Sequence, residues 1–233
     1  KIQKELFDYK DDFSDVKKYY NSLMLSFENT LQSNLDKSNE PLKLALRYSM
    51  LGNYIDFGAM NNVNESKLLE MIDDAINLPC NDNEFKNMLN DISKAKNLVY
   101  LTDNCGEIVM DKLLIRSILK EFPNLNATAI VRGLPVLNDV TMEDAIQVGL
   151  DKLLPVIHNG NAIAGTCLST ITDEAKEKID SADIIIAKGQ GNFETLRNCN
   201  KNIYYIFMCK CNLFANRFDV PLYTGMLVND LRM

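Results

Sequence analysis

Leu98-Val99-Tyr100-Leu101-Thr102-Asp103-Asn104-Cys105-Gly106-Glu107 passes from a short apolar run directly into a polar, glycine-containing turn. An apolar run that short, bounded by turn residues, is the pattern of a strand buried on both faces. Four more such runs lie downstream, at Ala127–Val131, Leu153–Ile157, Ile184–Ala187 and Ile203–Met208. Helix-like or turn segments separate them, at Ile108–Glu121, Met142–Val148, Asp173–Ile179 and Phe193–Arg197. Buried strands alternating with helices predict a mainly parallel sheet covered on both faces, with right-handed crossovers. The expected fold of residues 96–233 is therefore α/β, a Rossmann-like, doubly wound three-layer sandwich.

Upstream of this stretch the pattern changes. Val16, Tyr20, Leu23, Phe27 and Leu31 recur at helical spacing, which places them on one face of a long helix. Pro41 suits the first turn of a second helix running through Leu51, apolar on most sides and hence buried. Two shorter amphipathic segments follow, near Ser66–Asn77 and Asn83–Lys94. Residues 1–95 are thus expected to form an all-helical N-terminal domain packed on the α/β domain of 96–233.

The composition, with 46% hydrophobic and 24% charged residues among 233, is that of an ordinary globular chain. No apolar run approaches the ~18 residues that span a bilayer, and no signal-like start is seen, so a cytoplasmic protein without membrane partners is expected. The first residue is Lys1 rather than Met, which leads one to expect a natural N-terminus removed or missing. A net charge of −7 argues against nonspecific nucleic-acid binding. It also requires any anionic substrate to meet a locally positive site. The six cysteines are scattered, as expected of reduced thiols. His158 is the one histidine, which excludes multi-histidine zinc sites; it is read as a structural residue near a strand end.

In an open α/β sheet, ligands bind beyond the carboxyl ends of the strands. The residues following the first four strands are Thr102–Glu107, then Arg132-Gly133-Leu134-Pro135 with Asn138-Asp139, then His158-Asn159-Gly160, then Lys188-Gly189-Gln190-Gly191-Asn192. Asp103 and Asp139 would repel unless a cation lay between them, and with Asn104 they form a hard oxygen set suited to Mg²⁺ or Mn²⁺. Taken singly, Asp139 reads as readily as part of a helix start, because Thr141-x-x-Asp144 has the form of a capping box. Lys188 and the turn at Gly189 and Gly191 could cradle a phosphate, or be a tight turn with a solvated lysine. Arg132 could neutralise substrate charge or tether the loop around Pro135. Asn53 and Asp56, on one face at the end of the second helix, could be functional or a helix cap.

Taken together, these segments resemble the signature blocks of the damage-control phosphatase family. The resemblance rests on Asp103-Asn104-Cys105-Gly106-Glu107, Arg132-Gly133-x-Pro135-x-x-Asn138-Asp139-Val140-Thr141 and Ala187-Lys188-Gly189-Gln190-Gly191-Asn192-Phe193-Glu194-Thr195. Gly52-Asn53-x-x-Asp56-Phe57-Gly58 and Phe207-x-Cys209-Lys210-Cys211 are also similar to the family pattern, in the same order. The chain looks like a short microbial member lacking the Cys-x-x-Cys start that such members often carry. The resemblance implies divalent-metal-dependent hydrolysis of phosphate monoesters of small, often damaged metabolites, favoured by Mn²⁺, Co²⁺ or Ni²⁺. It maps the metal ligands onto Asp103, Asn104 and Asp139, a phosphate-contacting lysine onto Lys188, and substrate contacts onto Asn53 and Asp56.

The expected chemistry is attack by a metal-activated water, oriented or deprotonated by Asp103 or Glu107. Lys188, Gly189, Gly191, Arg132 and Asn138 would stand around the substrate. An aspartyl-phosphate through Asp103 is an alternative route. Two rival functions use the same architecture, an S-adenosylmethionine-dependent carboxyl methyltransferase and a noncatalytic metal- or metabolite-binding protein. The first is disfavoured by the single glycine after the first strand and by Arg132 ending the second. Natural substrate, physiological metal and oligomeric state are not written in the sequence.

Overall fold

The computed structural model describes residues 13–54 and 65–233. In chain order the described elements are α1 (Phe13–Lys37), α2 (Pro41–Gly52), α3 (Glu65–Asp73), α4 (Asp82–Lys94), β1 (Asn97–Leu101), α5 (Glu107–Glu121), β2 (Asn126–Val131), α6 (Met142–Gln147), β3 (Val156–His158), α7 (Asp173–Ser181), β4 (Ile184–Lys188), α8 (Gly189–Leu196), β5 (Ile203–Met208), α9 (Asn212–Phe218) and β6 (Gly225–Asn229). One six-stranded sheet runs β3-β2-β1-β4-β5-β6. The first five strands are mutually parallel, and β6 pairs antiparallel with β5. The strand order reverses between β1 and β4, which opens a crevice beyond their carboxyl ends. No helix among the described residues is long and apolar enough to cross a membrane.

Successive strand residues face opposite sides, so each strand feeds two cores. Leu98, Tyr100, Ile184, Ile186, Tyr204 and Ile206 join Met24, Leu46, Met50, Val109 and Leu113 in one buried cluster with α1, α2 and α5. Val99, Leu101, Ile185, Ala187, Tyr205 and Phe207 meet Ile179, Phe193 and Phe214 from α7, α8 and α9 on the other side. Both faces are covered, which is why the strands read as unbroken apolar runs. The helices that precede β1 share their core with the sheet, since α2 packs most extensively against α5.

Four details depart from the sequence reading. In α1 the buried face is Lys17, Asn21, Met24, Leu31 and Leu35, while Val16 is 37% exposed. That face carries polar groups because it bonds to α6 and to the turn before α5: Lys17 pairs with Asp144 at 2.6 Å, and Asn21 Oδ1 accepts from Gly106 N at 2.7 Å. The third strand is shorter and later than Leu153–Ile157, because the amides of Leu153 and Leu154 turn back to Leu150 O. The ladder therefore begins only at Pro155, whose carbonyl accepts from Ala129 N. Finally, β6 was not foreseen, and α8 begins at Gly189 itself, so the expected glycine turn at 188–192 is the first turn of a helix.

Candidate functional site

Two short backbone links assemble the site. Val140 N donates to Asp103 O at 2.8 Å, and Cys105 N donates to Asn138 O at 2.9 Å. They form an isolated antiparallel bridge between Asn104 and Asp139. The loop after β2 is in turn tied to its own strand by Arg132 N donating to Val140 O at 2.8 Å. The capping box of Thr141 and Asp144 is present as well, and it starts α6 immediately after the bridge. The carboxyl end of β1 and the loop following β2 are thereby stitched side by side.

A cleft of about 270 Å³ opens over this bridge, lined by Asp103, Asn104, Asn138, Asp139, Gly191 and Lys210 among others. Arg132 lies beneath it, 2% exposed, with Nε donating to Asp139 Oδ2 at 2.6 Å and Nη2 at 3.9 Å from Asp103 Oδ1. Arg132 Nη2 is buried and has no hydrogen-bond partner among the described residues. Burial, reinforced by the charges of Glu107 and Asp139, holds the Asp103 carboxyl well above the usual carboxylate range, with Lys210 and Arg132 opposing the shift. A negative field of this kind is what a bound cation relieves.

Asp103, Asn104 and Asp139 fit a divalent cation by donor chemistry, two carboxylates and one amide oxygen. Among the described residues no three His, Cys, Asp or Glu side chains form a metal-binding group, so a cation held here would draw on an amide oxygen as well as on carboxylates. Gly189 brings α8 close to Asp103. Its φ is +78°, and a Cβ there would lie 1.9 Å from Asp103 Oδ2. The start of α8 carries no side-chain cap, and a helix leaves its first amides without intrahelical partners.

Behind the cleft lies a buried polar network. Asn53 Nδ2 donates to Asp103 Oδ2 at 3.1 Å and to the two Glu107 oxygens at 3.2 and 3.0 Å. Asn104 Nδ2 donates to Asp103 Oδ2 at 2.8 Å and to Glu107 Oε2 at 2.9 Å. Lys188 Nζ donates to Ser49 O, Glu107 Oε1 and Asp111 Oδ1, each at 2.7 Å. Burial works against the charge of Lys188, but Asp111 and Glu107 outweigh it and raise its pKa. Burial likewise lifts Asp111 to about 6, against the pull of Lys188.

The sequence-predicted residues thus divide. Asp103, Asn104, Asn138, Asp139, Gly189 and Gly191 converge on the cleft, and Arg132 supports it from below. Lys188, Glu107 and Asn53 are fully buried behind it, with their polar atoms engaged by protein groups. Lys188, expected at a phosphate, has Ser49 O, Glu107 and Asp111 as partners, and Glu107, expected at a water, accepts from Asn53, Asn104 and Lys188 among the described residues. Asp56 lies outside the described residues. Lys210, Gln190 and the Ala164-Gly165 wall were not singled out as site residues. A survey of strand ends extended to β5 reaches Cys209-Lys210 at once; nothing in the sequence pattern marks Gly165.

Comparison with known proteins bears on this constellation. Residues 2–225 match the family model described as "Damage-control phosphatase ARMT1-like domain". The chain is 36% identical to the damage-control phosphatase PH1575 of Pyrococcus horikoshii over 182 residues, 77% of this chain and 62% of that protein. It is 31% identical to a damage-control phosphatase of Archaeoglobus fulgidus over 229 residues, 96% of this chain and 77% of the relative. Uncharacterized protein MJ0202 of Methanocaldococcus jannaschii is 33% identical over 234 residues, 97% of this chain and 75% of its own length. The crystal structure of PH1575, described as a DUF89 family protein, superposes with a TM-score of 0.84 at 30% identity, covering 97% of this chain and 78% of that one. Because the family model runs through the helices and the sheet alike, the chain belongs to the damage-control phosphatase family.

Proposed function

We propose that this protein hydrolyses phosphate monoesters of small, damaged or side-product metabolites, using one divalent cation held by Asp103, Asn104 and Asp139. The observation that carries the reading is the Asn104–Asp139 bridge, which sets two carboxylates and an amide over one cleft at the strand-order reversal. The names of the Pyrococcus and Archaeoglobus relatives point the same way. Mn²⁺, Co²⁺, Ni²⁺ or Mg²⁺ in that position would polarise a phosphoryl oxygen and acidify a water.

The protein's own groups supply the rest. Lys210, on the cleft wall, would meet phosphoryl charge, and the first amides of α8, without intrahelical partners, would offer donors from the Gln190-Gly191 side of the cleft. Asp103, whose side chain is 14% exposed, is the carboxylate best placed to orient the attacking water or accept its proton. Arg132 fixes the Asp139 carboxylate through Nε, and its Nη2, without a hydrogen-bond partner among the described residues, would offer a donor to charge that develops at the site. Lys188 acts through Glu107 rather than on the phosphate.

The test is p-nitrophenyl phosphate hydrolysis by chelator-stripped protein, with each metal restored singly and Asp103→Ala and Lys210→Met run alongside. Turnover that returns with metal, vanishes in Asp103→Ala and falls at least ~10-fold in Lys210→Met is expected. Protein that binds metal but turns over no phosphate ester would instead be a binding protein.

A further inference from the structure

We propose that Glu107, held by Lys188 and Asp111, is a positioning residue that decides which atom of Asn104 faces the cation. The inference rests on the reading of Asp103, Asn104 and Asp139 as the cation's ligands. Among the described residues, the groups that bond the Glu107 carboxylate are all donors: Asn53 Nδ2, Asn104 N, Asn104 Nδ2 and Lys188 Nζ. A carboxylate only accepts, so it satisfies all of them; an amide in its place would set an NH₂ against a donor whichever way it turned.

The consequence falls on Asn104. With its Nδ2 drawn to Glu107 and Asp103, its Oδ1 is turned away from them, toward Asn138 Nδ2 at 2.9 Å and the cleft that both residues line. A hard cation takes oxygen, so the amide is useful as a ligand in this orientation alone. Asn53 cannot relieve Glu107 by turning over, because its Oδ1 accepts from Met208 N at 3.0 Å. Two amides are therefore locked around one carboxylate.

Glu107 has no exposed atom, so protein groups must hold its charge. Glu107 and Asp111 are one turn apart on the same face of α5, and their carboxylates would repel. Lys188 bridges them from the end of β4, and Ser49 O takes a third donor, which leaves the ammonium no freedom to swing away. Ser49 Oγ donates to the same Asp111 oxygen at 2.7 Å. Neither Glu107, Asp111 nor Lys188 lines the cleft, so the effect is on the cation's ligand set and not on substrate directly.

Mn²⁺ titration calorimetry on the chelator-stripped full chain tests this, with thermal melts of the metal-free proteins in parallel. Glu107→Gln should weaken Mn²⁺ binding about 10- to 100-fold while the metal-free protein still melts cooperatively. Lys188→Met combined with Asp111→Asn removes one charge of each sign, so the buried balance is kept, and it should weaken Mn²⁺ binding to a similar degree. A purely structural network would lower the melting temperature and leave the affinity untouched. Wild-type affinity in either folded variant overturns the proposal. Failure of the wild-type chain to bind Mn²⁺ overturns the ligand assignment beneath it, a result separable from the first because it appears before any substitution.

Discussion

At Gly189 a strand becomes a helix within one residue, and the carboxylate of Asp103 occupies the space where a side chain would begin. The positive φ of +78° costs an L-residue roughly 1–2 kcal/mol before any clash is counted. A Cβ 1.9 Å from Asp103 Oδ2 then forces either α8 or the carboxylate to move. Gly191 differs: its nearest neighbour would be Gly165 N at 3.3 Å, a contact that a shift of a few tenths of an ångström relieves. Gly189→Ala is therefore expected to lower stability by about 2 kcal/mol or more and to weaken Mn²⁺ binding, whereas Gly191→Ala should stay within about 1 kcal/mol of the parent. Urea melts and Mn²⁺ titrations of the two variants check this, and equal effects would show that Asp103 does not depend on that turn. Asp103, Asn104 and Asp139 stand out in the sequence because polar residues follow buried strands at the carboxyl edge of the sheet, and all three line the cleft. Lys188 lies at the expected strand end, and its ammonium meets Glu107 and Asp111 of α5, partners that no local pattern announces.

Helix α1 contributes through its polar side. Gly106, the residue before α5, has a φ of +79° and no side chain with which to cap the helix. Asn21 Oδ1, 85 residues away, accepts from the amide of Gly106 itself, while Asn21 Nδ2 reaches Gln147 at 2.9 Å and Asp144 at 3.5 Å. One side chain thus fastens the start of α5, which carries Glu107, to α6, which follows Asp139. Asn21→Ala should cost about 1 kcal/mol, the usual net worth of a buried hydrogen bond, whereas exposed Ser22→Ala should change stability by less than about 0.5 kcal/mol. Chemical denaturation of the pair measures the contrast, and indistinguishable midpoints would refute the fastening role of Asn21. The helix itself was legible from its period, and its inward face in part: Leu31 is buried and Tyr20 and Phe27 pack against the core, but Lys17 and Asn21 were not foreseen there. Periodicity finds apolar stripes, and here Lys17 and Asn21 are buried because each has a partner on another element.

Across the whole molecule the change of pattern near residue 95 suggests two folding units, yet a single buried cluster runs from Met24 through Tyr100 to Leu227. The strand that brings Leu227 into it, β6, escaped the sequence reading because Gly225–Asn229 is short and alternates between buried and half-buried, as an edge strand does. β6 also leans on the helices before β1, since Gly225 packs against Met50 and Leu78. A core shared in this way predicts one cooperative unfolding transition, with far-ultraviolet and tyrosine near-ultraviolet signals falling at the same temperature. The proposed cation lies at the strand-order reversal, above a network in which α2 contributes Ser49 and Asn53. Binding there should raise that single transition as a whole, by about 2.7 kcal/mol of stability at a hundred times the dissociation constant. Asp139→Ala should abolish the increase without splitting the transition. Two separated transitions, with Mn²⁺ moving only one of them, would mean that the helices before β1 unfold independently and that the network behind the cleft does not couple them to the site.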